Sequence, residues 1–164
     1  INRRGVFTTR TVTTMKRKEM RTIMEFKNMV GKTITKIYKS DCDALLFECS
    51  DGTRYVMYHE QDCCEAVYIE DICGELHNLI GSPIIMAEES FKYGEESEET
   101  FVDSETWTFY KFATIKGYVT VRWYGTSNGY YSESAGLYQV DTDSKLWKEF
   151  IEDAVAILTP CHET

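Results

Sequence analysis

The chain has 164 residues, 43% of them hydrophobic and 13% aromatic, and a formal net charge of −9. That is the length of one domain, able to bury roughly two thirds of its unfolded surface, and too apolar and aromatic to stay disordered. No apolar run approaches the ~18 residues of a membrane span, and no N-terminal apolar segment resembles a signal peptide, so the expectation is a cytoplasmic protein without membrane contact.

Charge divides the chain. Residues 1–28 hold eight Lys or Arg against two Glu, a net of +6, and the remainder holds ten against twenty-five acids, a net of −15. Residues 1–23 read as a basic extension and 24–164 as a single acidic domain. Met24 opens "MEFKNMVGKTITKIY", which would itself make a protein start. Arg3, Arg4, Arg10, Lys16, Arg17 and Lys18 are the candidate nucleic-acid contacts of the extension. The acidic body would repel nucleic acid and suits a basic protein surface.

Within the extension, "VFTTRTVTT" (6–14) is rich in β-branched residues and predicts a strand, while Met20, Ile23 and Met24 fall at helical spacing. From Lys32 a β pattern takes over. "KTITKIYKS", "ALLFECS" and "TRYVMYH" predict three successive strands, with Asp51-Gly52 as a hairpin turn between the last two. "EAVYIED" predicts a short extended segment. A helix is then predicted with Asp71 as its N-cap, Ile72, Leu76, Leu79 and Ile80 as its apolar face, and Gly81 and Pro83 as its stop. "SPIIMAEES" predicts another strand. The stretch from Glu88 to Glu105 has eight acids and one Lys, too much charge to bury, and predicts an exposed loop. "TWTFYKFATIK" and "YVTVRWYGTS" form a hairpin around Gly117, and a further strand follows Asn128-Gly129. Leu146, Trp147, Phe150, Ile151, Ala154, Val155 and Leu158 make one broad apolar stripe, a C-terminal helix capped by Asp143 or Ser144 and ended by Pro160. The predicted class is α+β: mainly antiparallel sheet, with one short internal helix and one C-terminal amphipathic helix packed on it.

Chemistry concentrates in "YHEQDCCEAVYIEDICGELH" (58–77). His59, Cys63, Cys73 and His77 are four zinc-compatible side chains, but their spacing matches no standard finger and no Cys-x2-Cys pair exists. His59 with Glu60, Asp62 and Glu65 offers a base and an orienter. The acids raise a thiol's pKa, so Cys63 and Cys64 are poorly placed as thiolates. Adjacent cysteines rarely pair, and free thiols are expected. No P-loop, nucleophile elbow or Gly-rich cofactor turn appears, so no catalytic set and no cofactor are assigned. A second cluster, "VRWYGTSNGYYSES", has the make-up of a binding surface. Its candidates are Arg122, Tyr124, Asn128, Tyr130 and Tyr131, with Glu95, Glu96, Glu98 and Glu99 from the acidic stretch.

The runs "HEQDCCE" and "RWYG…NGYYSE", within about Phe26 to Glu133, resemble an uncharacterised domain family common in bacteriophages and prophages. The resemblance implies no activity. It implies a phage or mobile-element protein inside a bacterial host cell. Three functional readings follow. The first is a protein that binds and inhibits a bacterial defence nuclease, an anti-CRISPR acting on a Cas9-type nuclease with its guide RNA. The second is a self-associating phage accessory or structural protein. The third is a zinc- or thiol-dependent enzyme.

Overall fold

Side chains alternate between two faces along a strand, and that period dominates this chain from Ile34 to Val140. The computed structural model describes residues 21–41, 43–95, 104–141 and 143–160. Two antiparallel sheets result. The first joins β1 (Arg21–Met24), β2 (Ile34–Lys39), β3 (Ala44–Cys49), β4 (Arg54–Tyr58), β9 (Gly136–Val140) and β10 (Val155–Ala156), in the order β1-β9-β4-β3-β2-β10. The second joins β5 (Ala66–Cys73), β6 (Met86–Tyr93), β7 (Ser104–Thr114) and β8 (Gly117–Ser127), in the order β5-β8-β7-β6. One core lies between them. Ile37, Phe47, Met57 and Leu137 of the first sheet share it with Ile69, Phe112, Val121 and Trp123 of the second. Burying each such side chain contributes roughly 1.5–3 kcal/mol. Phe26, in a 3-10 turn over Phe26–Met29, adds edge-on contacts to Tyr110 and Phe112 at 4.9 and 4.7 Å.

The six-stranded sheet is covered on both faces. Ala44, Leu46, Val56, Tyr58 and Val140 turn away from the main core and meet Leu146 and Trp147 of α1 (Lys145–Ile151). This explains the unbroken apolar run Ala44–Phe47, buried throughout. The four-stranded sheet alternates instead. Trp123 and Val121 point into the core, while Tyr124 and Arg122 between them stay half-buried on the outer face.

Several expectations are corrected. The protein is mainly β, with two sheets rather than one and, among the described residues, a single α-helix. The internal helix predicted from Asp71 does not form. Asp71, Ile72 and Cys73 continue β5, paired with Arg122, Val121 and Thr120 of β8. Asp71 bonds the Ile72 N–H and faces Arg122 rather than capping a helix. Gly74, at φ +96, then turns the chain so close to β8 that a Cβ would lie 2.3 Å from the Tyr118 carbonyl. Only Leu76–Leu79 coils, as a 3-10 turn, and Leu76, Leu79 and Ile80 still enter the core.

The C-terminal helix is also shorter than its apolar stripe. Ser144 caps it, its hydroxyl accepting from the Trp147 N–H at 3.3 Å. It ends at Ile151, because Val155 and Ala156 pair with the free edge of β2 and the Ile157 N–H reaches the Ile37 carbonyl. β-Branched residues favour that pairing over helix, and Leu158 is left exposed. Ile23 and Met24, at helical spacing, lie in β1 and pair with Tyr138 and Leu137. The acidic stretch is not all loop. Glu88 to Tyr93 belongs to β6, paired with β7. The strand predicted over 6–14 lies outside the described residues.

Candidate functional site

The "HEQDCCE" segment crosses from one sheet to the other. β4 ends at Tyr58 and β5 begins at Ala66. Glu65 folds the crossing around itself. Its carboxylate accepts from the backbone N–H of Asp62 at 2.7 Å and of Cys63 at 3.1 Å, and from His59 Nε2 at 2.9 Å. The Gln61 amide donates to the Glu65 carbonyl at 2.7 Å. The second ring nitrogen, His59 Nδ1, faces the Ser134 carbonyl oxygen at 2.9 Å. The two side chains are 5% and 0% exposed. The Asp62 N–H, and then the His59 and Cys63 donors, lower the Glu65 carboxyl to about 2. Both His59 nitrogens thus face oxygens, the Glu65 carboxylate on one side and the Ser134 carbonyl on the other. A catalytic His holds one nitrogen toward the substrate. His59 has neither nitrogen left over, so the predicted base and orienter instead make a clasp between sheets.

Cys63 and Cys64 are disulfide-bonded to each other, against the expectation of free thiols. Both lie in the exposed bends of the turn around Glu65, not in a strand, where successive side chains would point to opposite faces. As a disulfide, Cys63 is not a zinc ligand. Cys73 sits at the end of β5 with its thiol on Asp71 at 3.4 Å, a contact that raises its pKa. His77 lies 3.8 Å from Glu75. The four zinc-compatible residues therefore do not gather. Among the described residues, no three or more His, Cys, Asp or Glu are arranged to hold a metal ion.

The outer face of the four-stranded sheet brings residues together in a way that the linear sequence conceals. Tyr68, Tyr124, Trp107 and Lys92 stand directly opposite one another on β5, β8, β7 and β6. Tyr124 packs on Tyr68 at 5.7 Å and on Trp107 at 5.2 Å between centroids. The Lys92 ammonium lies 5.7 Å from the Trp107 centroid. The Tyr124 hydroxyl donates to Glu105 at 2.6 Å, and that carboxylate pushes its pKa up to about 12. Beside this row, Arg122 pairs with Glu70 at 2.7 Å and approaches Asp71 at 3.7 Å. The result is an aromatic ledge across four strands, bordered by both signs of charge.

Beyond β8 the chain turns at Asn128, whose side chain accepts from the Tyr130 N–H at 3.1 Å. Tyr130 is 91% exposed and Tyr131 half-buried. Glu133 then folds back under the sheet. Its Oε2 accepts from Thr106 at 2.7 Å and Ser104 at 3.3 Å, and its Oε1 from Ser127 at 2.6 Å. Gly125 permits this, because a Cβ there would lie 2.0 Å from the Glu133 carbonyl oxygen.

Of the predicted binding residues, Arg122 and Tyr124 share the ledge face, while Asn128, Tyr130 and Tyr131 form the adjoining turn. Glu95 is exposed just past β6. Glu96, Glu98 and Glu99 lie outside the described residues, as do Arg3, Arg4, Arg10, Lys16, Arg17 and Lys18. Sequence reasoning missed Tyr68, Trp107, Lys92 and Glu133. For Trp107 the signal was present, since in "TWTFYKF" Trp107 and Phe109 have the opposite parity to the core residues Tyr110 and Phe112.

Among the described residues, no helix is long and apolar enough to cross a membrane. No curated protein and no solved structure matches the chain. A family model matches residues 27–137, from the 3-10 turn before β2 to the start of β9, which takes in the clasp, the ledge and the Glu133 turn. With that match over more than half its length, the chain belongs to the family described as a domain of unknown function, DUF7448.

Proposed function

We propose that this chain is a non-catalytic binding protein that meets a basic protein surface through the outer face of its four-stranded sheet. The observation that carries the reading is the row Tyr68, Tyr124, Trp107 and Lys92, opposite one another on four strands. Rigid rings give contact area at low entropic cost and dominate the energetics of interfaces. This face carries charges of both signs, Glu70, Asp71, Glu88 and Glu105 beside Lys92, Lys111 and Arg122, so it is the excess of acids beyond residue 28 that favours a basic partner and opposes a phosphate backbone.

The resemblance to phage and prophage proteins supplies the proposed setting, the cytoplasm of a bacterial host. There the partner class is a defence nuclease, of the Cas9 type with its guide RNA, whose nucleic-acid groove is basic. Occupying that groove would inhibit it. Co-purification and calorimetry against such a nuclease, with and without guide RNA at moderate salt, test this. The expected result is a complex of low-micromolar affinity or better, weakened about tenfold or more by Trp107→Ala or Tyr124→Ala. No complex, or binding indifferent to both substitutions, would sink the proposal.

Self-association is the second reading. Among the described residues β6 pairs only with β7, and its outer edge, with Phe91 and Tyr93 exposed, is a template for a second copy. Light scattering that finds a monomer at high concentration would remove it.

A further inference from the structure

Glu133 has a chemistry that the ledge does not use. It is 8% exposed, and its three donors are all neutral hydroxyls. It also lines an open cavity of about 250 Å³, together with Ser104, Thr106, Ser134, Phe91, Tyr93 and Tyr131. No Lys or Arg lines that cavity among the described residues.

We infer that this cavity receives the ammonium group of a lysine side chain presented by a partner protein. The inference rests on the reading that the chain binds a basic protein, and it names the group that enters. A buried carboxylate without a cationic partner is costly, and hydroxyl dipoles offset only part of that cost. Aromatic walls attract a cation through the ring faces. The hydroxyls that donate to Glu133 keep their own acceptor lone pairs, so Ser104 and Thr106 offer oxygens to the three N–H donors of an ammonium. A guanidinium fork is a poorer fit. It needs both carboxylate oxygens side by side, and Oε2 already accepts two hydroxyls. A calcium ion is poorer still, because it takes six to eight oxygens with several carboxylates among them, and Glu133 is the one carboxylate lining this cavity among the described residues. The volume falls below the ~300 Å³ at which free small-molecule sites begin, which suits a tethered side chain.

The test is an amide NMR titration of the full chain with N-acetyl-lysine amide. Saturable shifts are expected at Ser104, Thr106, Tyr131 and Glu133. N-acetyl-norleucine amide, the same stem without the ammonium, should produce none, and N-acetyl-arginine amide should bind more weakly. Glu133→Gln should weaken lysine binding about tenfold or more, with a dispersed spectrum showing that the fold is kept. Phe91→Ala, at an exposed wall, should weaken it severalfold and serves if Glu133→Gln does not fold. Equal shifts from norleucine, equal binding of tetramethylammonium, or wild-type binding by both variants would overturn the assignment. Trp107→Ala should leave this titration unchanged, so failure of the ledge reading and failure of the lysine site are told apart.

Discussion

Glu65 and Glu133 are the buried charged residues among those described, and they are held in opposite ways. Glu65 meets two backbone N–H groups and His59, all donors fixed in place. Glu133 meets three hydroxyls, each free to rotate and each also an acceptor. The Glu65 cluster is closed: its donors are directional, and both His59 nitrogens are already engaged. It fastens the crossing between the sheets. The Glu133 cluster is open: among the described residues no cation lines the cavity that it borders. A buried carboxylate is therefore not by itself a sign of function. What it faces decides.

The largest effect should come from Glu65→Gln. Either orientation sets the amide NH2 against a backbone N–H, that of Asp62 at the Oε1 position or that of Cys63 at the Oε2 position, and neither can turn to accept. A marked drop in thermal midpoint is expected, larger than for any other single substitution proposed here. A midpoint within one or two degrees of wild type would break the comparison.

Acid should separate the two sites next. The Glu65 carboxyl is lowered to about 2, below the usual range, so its contribution is fully present above the unfolded value. As pH falls through the ordinary glutamate range toward about 2, the unfolded chain takes up the proton first and that stability is lost. His59, Glu60 and Asp62 share the turn with it. Urea midpoints between pH 7 and pH 2 should fall steeply in wild type and less steeply in Glu65→Gln. Parallel slopes would mean that the clasp is not what acid dissolves.

Gly125→Ala probes the other carboxylate through the backbone. A methyl 2.0 Å from the Glu133 carbonyl oxygen must push that segment away from β8. Strain of this kind costs about 1–3 kcal/mol. For a domain of this size that is a fall of roughly 2–12 °C in thermal midpoint. A neutral result would show that the Glu133 turn is not held against the sheet.

The strands were legible because hairpins write themselves locally. Asp51-Gly52, Gly117 and the alternating runs beside them need no distant partner to be recognised. The helices were over-read for a related reason. Ile72, Leu76, Leu79 and Ile80 do face one core, but a strand followed by a 3-10 turn also delivers them there. The segment beyond Ile151 was drawn into pairing with β2, a long-range choice that no local period contains. The split into two sheets was hidden too. "HEQDCCE" reads as polar, and only Glu65 gathering the turn shows that the chain changes sheets there. The ledge needs register across four strands, which one sequence does not supply. Arg122 and Tyr124 were found from composition, and their neighbours Tyr68 and Trp107 were not.

The smallest effect should come from Glu133→Gln, and it is the most telling. The amide keeps one acceptor oxygen for Thr106 or Ser127. Its NH2 can donate to a hydroxyl that has turned round, since each Ser or Thr oxygen both gives and takes. No donor is left facing a donor. The cost should be about 1 kcal/mol or less, within the net worth of a single hydrogen bond. Removing a buried charge that has only neutral partners offsets part of even that. The same Glu-to-Gln change would thus be severe at position 65 and mild at 133, although both carboxylates are buried to a similar degree. Chemical denaturation of the two variants side by side measures the contrast. Equal losses would mean that burial, rather than the rotational freedom of the donors, sets the cost of altering either carboxylate.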